Sequence, residues 1–380
     1  MTSTKRITLI DVLKGASMIG IVLAHIALLQ NNDGLPEEAS TVENIISYLV
    51  SVPYSLLCTF FIISGYFYKP GRGFIANVKD RVLKIFITFT LSVVVFNTLM
   101  YIYLSLTGYD LELSSLWEVI WRSFFGKWAF MDLYDPTLHG ERIMAVFEVT
   151  HPLYFLQILM VGYIIFYAIA DHVLDDWRKV VVAAVLLFSA SALYLEFVAI
   201  YLPFNAQLGP MVAAFLLIGA FMGRHGFYEW MQFGKKDRKY WGVFIACGTI
   251  SIVTALLFHS GVELIYSHFG EYTGIGLYPF VVTALSGGIF MSFLLCWVSK
   301  IHIIRDGLVI IGTYCLIVHV SHMFLARLLV SPFVTFDTVV WIPVGLVWGI
   351  IVSFAVIIIA IAITKLLERY LKKRSQEETA

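Results

Sequence analysis

Three ionisable side chains, Asp11, Lys14 and His25, lie within a segment apolar enough to cross a bilayer, IDVLKGASMIGIVLAH. A charged side chain at the centre of a membrane helix costs roughly 3 kcal/mol even on insertion scales, so such residues are expected to face protein or water and to serve a function. Lys14 and His25 are eleven residues apart, close to three turns of helix, and the three residues therefore share one face. At about 1.5 Å per residue, Lys14 and His25 are about 16 Å apart along the axis.

The chemistry of this face depends on its histidine. A neutral imidazole can act as a general base or as a nucleophile, and a preorganised cation can stabilise developing negative charge. Two other interpretations stay open at this point. Asp11 and Lys14 can simply neutralise each other and tether the helix to its neighbours, and His25 can pack as a buried neutral side chain.

The composition predicts an integral membrane protein. Of 380 residues, 59% are hydrophobic and only 14% are charged, and the mean hydropathy is +0.84. The 26 basic and 26 acidic residues balance, so net charge gives no reason to expect a nucleic-acid partner. The four cysteines lie in apolar stretches without CxxC pairing, and no metal site or disulfide framework is predicted. The first apolar segment lacks a cleavage site and is expected to stay as an anchor.

The predicted fold class is all-α, with about ten transmembrane helices in one membrane domain, residues 1–380. The criterion is a run of about 20 mostly apolar residues for each span. The predicted spans are 7–29, 45–68, 85–106, 149–170, 180–201, 208–223, 241–258, 274–298, 307–329 and 340–364. The loop after the third span contains LSSLWEVIWRSFFGKW, whose apolar and aromatic spacing predicts a helix in the membrane interface.

Charge predicts the direction of these spans. With the N-terminus and every second loop in the cytoplasm, 21 of the 26 lysines and arginines lie inside, four lie outside and one, Lys14, lies in the membrane. This asymmetry is the one that the positive-inside rule requires. Both termini are therefore predicted to be cytoplasmic.

Further ionisable residues fall at a similar predicted depth, in the outer part of other spans. They are Glu148 and His151 near the start of the fourth span, Glu196 in the fifth, and His319 and His322 in the ninth. Each histidine alone can serve packing or an interhelix hydrogen bond, and that role is favoured for His319. Their shared depth predicts one polar layer on the outer side.

The first segment resembles the opening signature of the acyltransferase 3 family of multispanning membrane acyltransferases. In that family a basic residue, usually arginine, precedes a histidine by eleven positions, and here the pair is Lys14 and His25. Lysine keeps the charge but lacks the bidentate fork of arginine. Lysine followed by glycine is similar to the fucose 4-O-acetylase-like branch of the family.

The resemblance continues along the chain in the family's order. FFIISGYFYKP resembles the end of the family's second helix, and NVKDRVLKIFITF resembles its basic segment, with Arg81 and Lys84 at the basic positions. THPLYFLQILMVGYIIF resembles a segment in which tryptophan is more usual than Tyr154. IGTYCLIVHVSHMFL resembles a late motif that aligns His322 with the family histidine and leaves His319 at the usual tyrosine position.

The resemblance implies transfer of an acyl group, most often acetyl, from cytoplasmic acyl-CoA to an acceptor on or beyond the outer face. Such a reaction needs cations for the CoA phosphates, and candidates at the inner surface are Arg81 first, then Lys84, with Arg72 and Lys79 nearby. All four also fit the plain role of positive-inside loop residues. No metal cofactor is expected.

For the reacting groups, the resemblance implies that His25 removes the proton of the acceptor hydroxyl or briefly carries the acyl group. Lys14 would steer acyl-CoA or stabilise negative charge on the thioester oxygen, and Asp11 would hold Lys14. The residues expected to orient His25 or the acceptor are His151, Glu148 and His322.

The leading expectation is thus a bacterial inner-membrane O-acetyltransferase, an acyltransferase for groups other than amino-acyl groups. Its partners would be the bilayer, acyl-CoA and a cell-surface glycan or lipid-linked sugar. A transporter of a solute or acyl group is an alternative, although the chain lacks paired inverted halves with Gly/Pro-broken helices. A non-catalytic membrane protein that keeps the fold is a third interpretation.

Overall fold

The computed structural model describes residues 7–31, 58–107, 112–124, 153–198, 202–257, 277–330 and 342–377. Within these ranges the backbone forms helices joined by short connections, and no strand is present. The predicted all-α class is therefore confirmed. Glu148 and His151, two of the predicted site residues, lie outside the described residues.

The helices are numbered in chain order and agree closely with most of the predicted spans. They are α1 (Thr8–Asn31), α2 (described over 58–66), α3 (Phe74–Asn77), α4 (Leu83–Leu106), α5 (Leu113–Ser123), α6 (Tyr154–Val173), α7 (Trp177–Phe197), α8 (Gly209–Arg224), α9 (Phe227–Phe233), α10 (Arg238–Leu257), α11 (Leu277–Val298), α12 (His302–Thr313), α13 (Cys315–Val330) and α14 (Ile342–Glu377). A π-helical stretch, Val78–Val82, joins α3 to α4, and a 3₁₀ segment, Pro203–Leu208, precedes α8.

Among the described residues, six helical segments are long and apolar enough to cross a membrane. They are Phe74–Leu106, Tyr154–Val173, Trp177–Phe197, Pro203–Arg224, Leu277–Val298 and Ile350–Lys372. The bent pair α12 and α13 makes a seventh if it counts as one span. The chain is thus a helical membrane protein, while the number ten, the cytoplasmic termini and the single domain stay predictions.

The interior of the bundle contains α6 and α8, whereas α4 and α7 lie at its edge. About two thirds of the apolar stretch of α8 is buried inside the protein (67%), against 28% for α4 and for α7. Phe61 of α2 stacks on Phe155 of α6 with ring centroids 4.7 Å apart, and contacts Phe215 of α8 at 6.2 Å. The exposed apolar residues of α4 and α7 suit contact with lipid tails, because a membrane protein has no reason to bury that surface.

Helix α1 packs against α12 so closely that their backbones touch. A Cβ atom on Gly15 would lie 2.0 Å from the carbonyl oxygen of Leu308, and one on Gly312 would lie 2.1 Å from the carbonyl oxygen of Asp11. Small residues allow this approach between membrane helices, where van der Waals packing drives association. The contact fixes the rotation of α1, and with it the face that carries Lys14 and His25.

The ninth predicted span is not one continuous helix. Its residues form α12 and α13, which are bent by 80° at Tyr314. No proline marks the break, and the N–H of Tyr314 still donates to the carbonyl of Ile311 at 3.1 Å. The bend allows α12 to lay Gly312 against α1 while α13 carries His319 and His322 in another direction.

The helix predicted after the third span is present as α5. Its residue Val119 packs with Leu104 of α4 and Phe324 of α13, and the side-chain amide of Gln157 donates to the carbonyl of Ser123 at 2.6 Å. Helix α5 is therefore fastened to α4, α6 and α13. Its position in the membrane interface stays a prediction.

Candidate active site

Two of the predicted site histidines meet across a gap of 297 residues in the chain. Nδ1 of His25 lies 3.0 Å from Nε2 of His322, and the two ring centroids are 4.9 Å apart. His322 has no exposed surface, whereas His25 is only half-buried. On its other side, Nδ1 of His322 lies 2.6 Å from the backbone carbonyl oxygen of His319.

This chain of contacts assigns a proton to each ring. A carbonyl oxygen can only accept a hydrogen bond, so Nδ1 of His322 must carry a hydrogen. Nε2 of a neutral His322 then holds a lone pair and accepts a hydrogen from Nδ1 of His25. The Nε2 atom of His25 is consequently the basic nitrogen of that ring. His322 thus orients the ring of His25 through Nδ1, as the partner of a catalytic histidine usually does.

His319 contributes its backbone to this chain, and its ring lies to one side. The imidazole is buried and makes an edge contact with Phe155 at 5.2 Å between centroids, and it lies 5.7 Å from the ring of His322. The packing role favoured from the sequence for His319 agrees with this geometry. Phe155 was not among the predicted site residues, although it lies in the segment THPLYFLQILMVGYIIF that resembles the family.

Lys14 and Asp11 form the other end of the polar face. The ammonium of Lys14 lies 3.8 Å from the carboxylate of Asp11, with 27% and 19% of the two side chains exposed. It also lies 5.9 Å from the centre of the Phe67 ring, and both charges are within electrostatic reach of Cys315, the first residue of α13. The pair therefore sits beside the break between α12 and α13. A long, partly exposed pair fits both the holding role and plain neutralisation.

Two of the predicted cations for the donor's phosphates, Arg72 and Lys84, lie on either side of one carboxylate, that of Asp80. Oδ2 of Asp80 lies 3.2 Å from the guanidinium of Arg72, and Oδ1 lies 2.6 Å from the ammonium of Lys84. Sequence reasoning named both cations and missed Asp80. The spacing of Asp80 and Lys84, four residues apart on a helix, was the available signal for this pair.

Arg81 is placed differently from these two cations. In the described part of the chain it forms no ion pair with a carboxylate, and its charge acts on Tyr163 and Tyr167 of α6. The residue belongs to the π-helical stretch, which also carries Lys79 and Asp80. Such wide turns often occur at functional sites. The side chain of Arg81 is exposed.

Glu196 is not brought to the histidine pair by any contact in the described residues. It lies in the last turn of α7, where one carboxylate oxygen is buried without a hydrogen-bond partner among those residues. The described residues contain no group of three or more histidine, cysteine, aspartate or glutamate side chains that could hold a metal ion.

A comparison with protein families decides the class of this site. A family model described as an acyltransferase domain matches residues 7–361, nearly the whole chain. The chain belongs to the acyltransferase 3 family. Lys14, His25 and His322 all lie within the match, so the histidine pair belongs to the domain of a membrane acyltransferase. Comparisons of this acyltransferase with curated proteins and with solved structures found no match.

Proposed function

We propose that this acyltransferase moves an acyl group, acetyl in the first instance, from cytoplasmic acyl-CoA to a hydroxyl of a cell-surface glycan or its lipid-linked precursor. The observation that carries the proposal is the His25–His322 pair, which presents an oriented basic nitrogen within the acyltransferase domain. The lysine and glycine at 14 and 15 support the fucose 4-O-acetylase-like branch. The charge asymmetry supports an orientation with both termini inside, and the family resemblance is the ground for proposing a bacterial inner membrane.

In the proposed reaction, Nε2 of His25 takes the proton of the acceptor hydroxyl. The hydroxyl oxygen attacks the thioester carbonyl, the carbon–sulfur bond breaks, and the CoA thiolate leaves with the proton that His25 returns. In the alternative route, Nε2 of His25 attacks the thioester carbonyl, the carbon–sulfur bond breaks, and CoA leaves as the thiolate. The acceptor hydroxyl then attacks the acyl group on His25, the carbon–nitrogen bond breaks, and the hydroxyl proton passes to the thiolate. His322 has the same role in both routes. It accepts the hydrogen bond from Nδ1 of His25, which leaves the lone pair of His25 on its own Nε2.

The donor would lie along the polar face of α1. Lys14 and His25 are about 16 Å apart along the helix, a span that the extended pantetheine arm of CoA can cover. The thioester can therefore reach His25 while the pyrophosphate lies near Lys14. Arg81, Lys84 and Arg72 would bind the remaining phosphates, since arginine and lysine form strong charge-assisted hydrogen bonds with phosphate oxygens.

The test is acyl transfer by purified protein in lipid nanodiscs, with labelled acetyl-CoA and a panel of sugar acceptors. We expect His25→Ala to lower the transfer rate about 10²- to 10⁴-fold, the usual contribution of a positioned general base. His172→Ala is the matched control, because His172 is an exposed histidine at the end of α6. Wild-type rates in His25→Ala would remove this residue from the mechanism. Solute flux without loss of thioester would favour a transporter.

A further inference from the structure

The carboxylate of Asp80 forms ion pairs with Arg72 and Lys84, two of the cations that the proposed function assigns to the phosphates of the donor. The two oxygens of Asp80 face different partners, Arg72 on one side and Lys84 on the other. An anion that binds Arg72 and Lys84 must therefore first replace Asp80. Arg81, one residue further on, has no such competitor among the described carboxylates.

We propose that Asp80 is a built-in competitor of the donor's phosphates, which releases Arg72 and Lys84 only to a more highly charged anion. The inference rests on the proposed function for the identity of that anion, the phosphorylated end of CoA. Asp80 would then set the affinity for the donor, and it would keep weaker anions off the two cations between turnovers.

The backbone of the loop that carries Arg72 favours its contact with Asp80. Gly71 and Gly73 flank Arg72 with φ of 83° and 76°, a backbone conformation that glycine adopts readily and other residues avoid. The chain therefore doubles back and places Arg72 over a carboxylate eight residues later. Helix α3 lies between the two residues, so the contact joins the glycine loop to the π-helical stretch that carries Asp80.

The two ion pairs are weak enough to be exchanged. The exposed fractions of the side chains are 52% for Arg72, 74% for Lys84 and 32% for Asp80. Solvent-exposed ion pairs contribute little to stability. A phosphate monoester carries more charge than a carboxylate and offers three acceptor oxygens, and arginine can bind it through two parallel hydrogen bonds. A phosphate is thus expected to displace Asp80, whereas a single carboxylate is not.

The experiment measures binding of CoA to the full-length protein in neutral phosphatidylcholine nanodiscs, separately from turnover. We expect Asp80→Asn to bind CoA roughly two- to tenfold more tightly, because two exposed pairs no longer compete. The KM for acetyl-CoA should fall by the same factor with kcat unchanged. Asp80→Ser is a second variant with the same expected gain, and pantetheine, which lacks phosphate, should show no gain.

Asp175→Asn is the matched control. Asp175 forms the same kind of pair, 2.8 Å from Lys179 four residues later, and this ammonium holds the pKa of the Asp175 carboxyl below its usual range. The change removes an equal charge from another loop predicted to face the cytoplasm. Tighter CoA binding by Asp175→Asn equal to that by Asp80→Asn would overturn the proposal, because the effect would then reflect general charge.

A double variant tests whether Asp80 competes with the donor for Arg72. If Asp80 acts by holding Arg72, the gain from Asp80→Asn should shrink in an Arg72→Gln background, whereas independent effects would multiply. Unchanged or weaker CoA binding by both Asp80 variants refutes the proposal. The proposal is also refuted if the Asp80 variants bind CoA no more tightly and only retain more anionic phosphatidylglycerol in mixed nanodiscs. That result would assign Arg72 and Lys84 to lipid headgroups. If the protein binds CoA as expected but transfers nothing, the proposed function fails and the role of Asp80 stands.

Discussion

Replacement of His322 tests the hydrogen-bond chain behind the histidine pair. His322 has no exposed surface, and its two ring nitrogens contact His25 and the carbonyl of His319. Removal of one partner of a buried hydrogen bond costs about 1–3 kcal/mol. If the same free energy is lost from the transition state, in which His25 must hold its orientation, His322→Ala should lower kcat roughly 5- to 150-fold, at about 1.4 kcal/mol for each tenfold change in rate.

Two amide substitutions, His322→Gln and His322→Asn, test the two hydrogen bonds of His322 separately. The amide of glutamine lies close to the position of Nε2, so His322→Gln can still accept from Nδ1 of His25. The amide of asparagine lies close to Nδ1, so His322→Asn can keep the contact with His319 but cannot reach His25. The expected order of kcat is therefore histidine, glutamine, then asparagine together with alanine.

The assay is single-turnover transfer from labelled acetyl-CoA in nanodiscs, with protein content and thermal unfolding measured for each variant. His319→Tyr is the matched control, because it keeps the backbone carbonyl that His322 needs and introduces the residue usual in the family motif. Equal rates for the glutamine and asparagine variants would refute the tautomer argument. A double variant of His25 and His322 should be no slower than His25→Ala, since the two rings act as a unit.

Two further predictions concern the first helix. Lys14→Met should raise the KM for acetyl-CoA more than it lowers kcat, because the proposed function assigns the charge of Lys14 to the donor. Lys14→Arg should retain most activity. Steady-state kinetics that show equal effects of Lys14→Met on KM and kcat would contradict this role. Gly15→Ala should destabilise the protein by about 1–3 kcal/mol, as overpacking usually does, because the new methyl group would lie 2.0 Å from the carbonyl oxygen of Leu308. Gly307→Ala, where no atom lies within 4 Å, is its control in thermal unfolding, and equal melting temperatures would exclude the close contact.

The helices were predictable wherever apolar length alone decides the structure. Helix α8 was expected at 208–223 and is found at Gly209–Arg224. The break at Tyr314 was not predictable, because its residues form good helices on both sides and no proline or charge marks it. The bend accompanies the packing of Gly312 against α1, a contact between segments about 300 residues apart in the chain.

The sequence was enough to predict which site residues share a face of one helix, but not which residues of different helices come into contact. Helical spacing alone places Asp11, Lys14 and His25 on one face, and Asp11 and Lys14 do form the expected pair. The meeting of His25 and His322 was suggested by their predicted depth, but depth does not give a distance or the nitrogen atoms that face each other. Those depend on how α1 and α13 are rotated about their axes, and the glycine contact with α12 determines that rotation for α1.

The backbone contact between α1 and α12 also bears on how an acyl group can cross the membrane. A transporter exposes its site to each side in turn by rocking helices past one another. Because Gly15 touches the backbone of α12 directly, α1 cannot slide along α12 without separating the two helices. The first helix is thus held in place against α12. Under the proposed function, the flexible arm of the donor would supply the movement. Vectorial chemistry in this protein would then need no alternating access.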